Sequence, residues 1–190
     1  MATLLLASSS PRRLALLAQL GLTPDATASP DIDESPHPHE QPRAHALRLA
    51  EAKALAVPHS TGIVVLAGDT VVACGRRILP KAEDAETVAA CLRLLSGRRH
   101  DVWSAIAVRD GTGKIRTRIS RSRLRFKKLH EDEIAHYVQS GEGLGKAGGY
   151  ALQGMAAAFI LDMQGSPSGV IGLPLYETRA LLKSAGFAIG

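Results

Sequence analysis

The chain has 190 residues, 45% of them apolar and 22% charged, an ordinary balance for one globular domain with a buried core. No apolar run approaches the roughly 18 residues that cross a bilayer. The N-terminal apolar stretch is too short and lacks the positive flank of a secretory signal, which favours the cytoplasm. A net charge of +5 calls for an anionic partner and leaves nucleic acid, phosphorylated small molecules and membrane surfaces open. Cys74 and Cys91 match no zinc or redox spacing and read as two reduced thiols.

In chain order, Thr3–Ala7 reads as a buried strand that runs through Ser8-Ser9-Ser10 into a helix from Pro11 to about Leu20. Ser10 suits its N-cap and Pro11 its first turn. Asp25 to His39, rich in proline, acid and histidine, is expected as a loop with one short strand. Glu40 to Val57 is expected as a helix with Leu47, Ala50 and Ala54 on one face. Two apolar strands, Ile63–Leu66 and Thr70–Cys74, are expected on either side of Gly68-Asp69, with Ile78-Leu79 as a hairpin return. Asp84 to Leu95 reads as a helix stopped by Ser96-Gly97, and Asp101 to Arg109 as a strand. Lys114 to Lys127 is a long strand whose alternation slips, Ile115, Thr117 and Ile119 on one face and Leu124 and Phe126 on the other. The slip predicts a bulge or break near Ser120–Ser122. Glu131 to Gln139 and Pro174 to Lys183 are expected as helices, and Met155–Leu161 as a buried strand. Strands and helices mix without clean βαβ repeats, so the expected fold is α/β or α+β with a mixed sheet, in one domain over residues 1–190.

Two places carry chemistry. A strand that delivers Ser8-x-Ser10-Pro11-Arg12-Arg13 to a helix start offers free N–H groups, hydroxyls and guanidinium forks to an anion, although a plain helix cap would look the same. No Walker pattern is present. In Ala67-Gly68-Asp69-Thr70, the acid at the end of an apolar run is either catalytic or a turn aspartate. Lys53, Lys81 and Lys146, the last opening Lys146-Ala147-Gly148-Gly149-Tyr150, gain meaning only if they meet the serine–arginine loop. His37 and His39 flank Pro38 near Glu34 but match no standard metal-ligand spacing.

These segments together resemble the Maf family. The matches are Ser8-x-Ser10-Pro11-Arg12-Arg13, Asp33-Glu34, Arg48-Leu49-Ala50 with Lys53, Gly68-Asp69-Thr70, Leu95-Ser96-Gly97 with His100 and Val102, Lys146-Ala147-Gly148-Gly149-Tyr150 with Gln153, and Gly165-Ser166 with Val170-x-Gly172-Leu173-Pro174. They occur in family order from about residue 4 to residue 183.

The resemblance implies an elongated mixed sheet flanked by helices, with two lobes around a cleft, similar to the inosine-triphosphate pyrophosphatase fold. It implies hydrolysis of nucleoside triphosphates to monophosphate and pyrophosphate with a divalent metal, Mg²⁺ or Mn²⁺, by a homodimer. By position, Asp69 would be the proton acceptor, orienting a metal-bound water or itself ligating the metal, with Glu34 as a second ligand. Ser8, Arg13, Lys53, Lys81 and Glu34 would line the phosphate end, with Ser10 and Lys146 as further substrate-binding residues. Arg12, Thr70 and Gln153 match the specificity positions of the dTTP/UTP branch. The 7-methyl-GTP branch carries tryptophan, glutamine and glutamate there. The chain departs from the family at one point: Pro80 precedes Lys81 and Ala82 follows it, where the family has Lys-Pro.

The rival reading is nucleic-acid binding by the basic stretch Arg116 to Lys128. Aromatic residues are only 4% of the chain and Phe126 alone lies among those charges, so no stacking platform is expected and the stretch reads as a solvated strand.

Overall fold

The computed structural model describes residues 3–58 and 60–189. A mixed sheet of seven strands runs through it: β1 (Thr3–Ala7), β2 (Ala26–Thr27), β3 (Ile63–Cys74), β4 (Arg77–Ile78), β5 (Arg99–Arg109), β6 (Ile115–Phe126) and β7 (Ile160–Gln164). The order is β2-β1-β3-β5-β6-β7, with β4 hairpinned onto β3. β1 lies parallel to β2 and β3, and the remaining pairs are antiparallel. Six α-helices pack around the sheet: α1 (Pro11–Gln19), α2 (Pro42–Ala56), α3 (Ala85–Leu95), α4 (Glu131–Gln139), α5 (Pro167–Ile171) and α6 (Leu175–Ser184).

Side chains of a strand alternate between two faces, and here each face is buried by different helices. Val64, Leu66, Ile106 and Val108 pack with Leu16 and Leu17 of α1 and Leu181 and Leu182 of α6. On the same face but at the other end, Val72, Val102, Leu124 and Phe126 pack with Leu92 of α3 and Ile134 and Tyr137 of α4. On the opposite face Val65, Ala67, Val71, Ala105 and Ala107 meet Ala46, Ala50 and Ala54 of α2. Small residues on both sides let this helix lie close to the sheet.

This arrangement corrects three expectations. β6 is not broken near Ser120–Ser122: it pairs with β5 without interruption from Ile115 to Arg125. Its apolar pattern changes face because Ile115 and Ile119 lie toward α2, whereas Leu124 and Phe126 lie under α3 and α4. The irregularity present falls between Arg125 and Phe126, against β7. Next, the two strands expected around Gly68-Asp69 are one twelve-residue strand, so Asp69 is no turn residue. Finally, Met155–Leu161 is not a single strand but a 3-10 turn over Met155–Phe159 followed by β7, and α5 was not anticipated.

Asp84 caps α3 by accepting the Thr87 amide at 2.7 Å, as its position foretells. Ser10 occupies the N-cap of α1 without a side-chain cap bond. Among the described residues no helix is long and apolar enough to cross a membrane. Cys74 is half-buried and Cys91 buried, and both are free thiols.

Candidate active site

The site lies where the sheet changes width. β1 ends at Ala7, paired with Ala67, but β3 continues to Cys74. β4 takes up pairing again only at Ala73. Between them the β3 edge carrying Gly68, Asp69 and Thr70 borders a cleft of about 1000 Å³, at the upper end of the roughly 300–1,000 Å³ usual for small-molecule pockets. A strand that leaves its neighbour in mid-sheet exposes side chains from both faces at one place, the common location of ligands in α/β folds. Every site residue expected from the sequence lines this cleft, from Ser8, Ser10, Arg12 and Arg13 through Glu34, Lys53, Asp69 and Thr70 to Lys81, Lys146 and Gln153.

At one end, the turn from β1 into α1 is organised by the Ser8 hydroxyl. It accepts the Ser10 amide at 3.2 Å and Arg13 Nη1 at 2.9 Å. Arg13 Nε donates to the Gly172 carbonyl at 2.9 Å, so two bonds in different directions fix the plane of the guanidinium. Gly172 has φ 138°, a backbone region that side chains disfavour. Gly68 leaves the space that Arg13 fills: a Cβ there would stand 3.5 Å from Arg13 Nε and 3.3 Å from the Ala105 carbonyl oxygen. Burial lowers the Arg13 pKa, with the nearby Arg12 charge adding to the effect and Asp69 and Glu34 opposing it. A guanidinium nonetheless stays charged at any working pH, so this end of the cleft holds fixed positive charge.

Lys53 is the hub of the other end. It projects from the last turn of α2, buried, and its Nζ lies 2.6 Å from Asp69 Oδ1 and 2.6 Å from Glu34 Oε1. Asp69 is buried too, while Glu34 is half-exposed on the loop between β2 and α2. Desolvation opposes the Glu34 charge, yet the Lys53 hydrogen bond and the charges of Lys53, Lys81 and Arg13 hold its pKa below the usual carboxylate value. Each carboxylate presents one oxygen to Lys53 and keeps the other for a ligand. Thr70, one residue along β3 and so on the opposite face, places its hydroxyl 3.4 Å from that of Ser104.

The far wall is made by two segments that brace each other. Lys81 forms a β-bridge with Ala147, and the Ala82 amide donates to the Lys146 carbonyl at 3.0 Å. Thus Pro80-Lys81-Ala82, although it departs from the family pattern, still brings Lys81 into the cleft beside Lys146. Burial lowers the Lys146 pKa, and the charges of Arg12 and Lys81 lower it further. Gln153 lies exposed on the turn that follows. That turn is tied down by Glu142, which accepts the Met155 amide at 2.9 Å and the Tyr137 hydroxyl at 3.0 Å, while the Ala151 amide donates to that hydroxyl at 3.1 Å.

Behind the wall, His100 Nε2 lies 2.8 Å from the Tyr150 hydroxyl, and its Nδ1 has no partner among the described residues. The ring packs edge-on against Phe126 and Tyr150. Burial lowers its pKa from 6.5 to about 4, with the charge of Asp101 opposing. The native state therefore favours the neutral ring. That contribution is complete above the unfolded value of 6.5 and is lost as pH falls from there to about 4. It amounts to about 3 kcal/mol at most. We expect His100→Gln to lose much of the parent's acid destabilisation between pH 7 and pH 4.5, as read by urea unfolding at both values. Parallel curves for parent and variant would show that His100 does not titrate in the transition.

Two carboxylates with one free oxygen each are a donor set that suits Mg²⁺ or Mn²⁺, which commonly takes one or two carboxylates and completes its shell with water and substrate phosphate. Glu34 and Asp69 are the residues that could hold such an ion. Among the described residues no group of three or more histidine, cysteine or acidic side chains could do so alone. Four of the five arginines of β6 pair with acids: Arg121 and Arg123 both with Asp101, Arg125 with Asp162 and Arg116 with Asp110, while among the described residues Arg118 donates only to the neighbouring Thr117 carbonyl.

Sequence reasoning did not single out Ser104, the Gly172 carbonyl, Glu142 or the Glu40–Arg48 pair as parts of the site. The first three become neighbours only through sheet pairing and loop packing. Arg48, five residues before Lys53 on a predicted helix, carried a readable signal, since both side chains leave the same stretch of α2.

Together, the mixed α/β sheet and the cleft at its step, with cations facing a lysine-bridged pair of carboxylates, define an α/β protein built to bind a polyanion beside acidic groups. The family model described as Maf-like protein matches residues 3–185, and the chain belongs to that family. It is 56% identical over 188 residues to a dTTP/UTP pyrophosphatase of Rhodospirillum rubrum, covering 98% of this chain and 90% of that protein. A protein of the same description from Sphingopyxis alaskensis is 54% identical over 190 residues, covering the whole of both chains. Among solved structures, a HAM1 protein from Coxiella burnetii aligns with a TM-score of 0.49 and 19% identity, over 97% of this chain and 100% of that one.

Proposed function

We propose that this chain hydrolyses dTTP and UTP to the monophosphate and pyrophosphate. The observation that carries the reading is the meeting, in one cleft, of the Ser8–Arg13 loop and the Lys53-bridged pair of Asp69 and Glu34. Relatives more than half identical over nearly the whole chain are described as acting on these nucleotides.

In this reading water attacks the α-phosphorus, the bond from that phosphorus to the α–β bridging oxygen breaks, and pyrophosphate leaves. A triphosphate carries about four negative charges, and such transfers need mainly positioning and neutralisation. Arg12, Arg13, Lys81 and Lys146 surround the phosphates with positive charge. The start of α1 adds the Arg12 amide, since Pro11 has no N–H and the Arg13 and Leu14 amides donate to the Ser10 carbonyl. Asp69, with one oxygen held by Lys53, directs the attacking water with the other and receives its proton. A divalent cation held by Glu34 and Asp69 would supply further neutralisation of the phosphate oxygens.

Gln153 offers a donor and an acceptor to the O4/N3–H edge of a pyrimidine, with Arg12 and Thr70 at the other specificity positions. We expect Gln153→Ala to change the dTTP-to-CTP preference by about 10-fold while leaving the chemical step within about 3-fold. Single-turnover rates with both nucleotides check this, and an unchanged ranking removes Gln153 from base recognition. Two free thiols accord with action in a reducing cytoplasm. The decisive experiment measures pyrophosphate release with Mg²⁺ from dTTP, UTP, CTP, the purine triphosphates and 7-methyl-GTP. Preference for 7-methyl-GTP would move the protein to another branch of its family, and no release from any of them would refute the reading.

A further inference from the structure

The loop that carries Glu34 has no secondary structure from Ala28 to His37. Its last backbone bond to the sheet is from the Ala28 amide to the Leu6 carbonyl. An acidic side chain on such a segment, about half exposed, would ordinarily sample many positions. Here α2 grips the loop twice. Lys53 takes the Glu34 carboxylate at 2.6 Å. Five residues earlier, Arg48 Nη2 donates to the carbonyl of Ser35, the residue next to Glu34, at 2.9 Å.

The second grip is itself rigid. Arg48 binds Glu40 with two parallel bonds, Nε to Oε1 at 2.7 Å and Nη2 to Oε2 at 2.8 Å. Glu40 Oε2 also accepts the His37 amide at 3.0 Å and lies 2.8 Å from His45 Nδ1. Bidentate pairing orients the guanidinium as well as attracting it. The Glu40 side chain is 9% exposed, which limits competition from water. One guanidinium thus joins the start of α2, the end of the loop and the backbone beside Glu34.

We propose that Arg48 is a positioning residue, which holds Glu34 at Lys53 and Asp69 by clamping the loop through Glu40 and the Ser35 carbonyl. The proposal rests on the reading of Glu34 as part of the phosphate end. Arg48 does not itself line the cleft, although its Nη2 lies 3.0 Å from Nδ1 of the cleft-lining His45 and its charge attracts that of Asp69. The clamp predicts that the larger part of the effect of its loss passes through Glu34, so the effect shrinks where Glu34 is absent.

The test is a double-mutant cycle read in two ways. Arg48→Ala should lower kcat/KM for dTTP by about 10- to 100-fold in the parent but by no more than about 3-fold in a Glu34→Gln background. Amide hydrogen exchange over residues 33–40 should quicken in Arg48→Ala while α3 is unchanged. Glu40→Gln, which keeps Arg48 but weakens the fork, should shift both readouts in the same direction and serves if Arg48→Ala does not fold. Equal losses in the two backgrounds, or unchanged exchange over residues 33–40, would overturn the assignment. If the parent cleaves no nucleotide, the nucleotide reading fails, and the exchange measurement alone decides whether Arg48 clamps the loop.

Discussion

Replacing Asp69 by asparagine should leave nucleotide affinity within about 5-fold of the parent and lower turnover by about 1,000-fold or more. The substitution keeps the size of the side chain and one oxygen for Lys53. It removes the charge that would direct water and hold a cation. Because Asp69 sits in the middle of β3, paired with Ala105 of β5, the backbone around it does not depend on the carboxylate. Loss of turnover in a folded protein that still binds nucleotide would place the defect in chemistry. Calorimetric binding of a non-hydrolysable dTTP analogue, set beside single-turnover rates, separates the two. Near-parental rates would remove Asp69 from the mechanism.

Lys53→Met should be costly in both stability and activity. The buried ammonium lies 2.6 Å from each carboxylate, and removing it strands the Asp69 charge away from water. Breaking a buried pair from one side costs about 3–5 kcal/mol. Nearby Arg13 and the exposure of Glu34 place the expectation at the low end, about 3 kcal/mol. Turnover should fall by about 100-fold or more, since the carboxylate pair then has neither a fixed spacing nor a shared positive partner. The cause is checked by the double variant Lys53→Met/Asp69→Asn. With the stranded Asp69 carboxylate removed, it should regain about half of the lost stability in urea unfolding. A double variant no more stable than Lys53→Met would mean that lost packing of the lysine stem, not an unpaired charge, is responsible.

Much of the local structure was legible in the chain. Strand β1, helix α4 and the Asp84 cap of α3 follow from apolar periodicity and from residues that satisfy free amides. The same holds for the anion-binding turn, where a strand, three serines, a proline and two arginines are consecutive and need no distant partner. The ordered motifs likewise pointed to the family, and all the site residues they indicated line one cleft.

Three things needed the tertiary structure. Whether Asp69 caps a turn or stands in a strand depends on what lies beside it. Gly68-Asp69 looks like a break, yet pairing with β5 carries the strand straight through, and the free edge past Ala7 turns a mid-strand acid into a cleft residue. The face change in β6 looked like a bulge because periodicity reports which face is buried but not by what. Only the placing of α2 on one face and of α3 and α4 on the other explains it with an intact ladder. The charge partners were also out of reach. Lys53, Asp69 and Glu34 are separated by many residues and meet because a helix crosses the sheet where β1 stops. Local order comes from neighbours along the chain, which the sequence specifies directly. The partners of a buried charge come from packing between elements, and a linear pattern does not encode them.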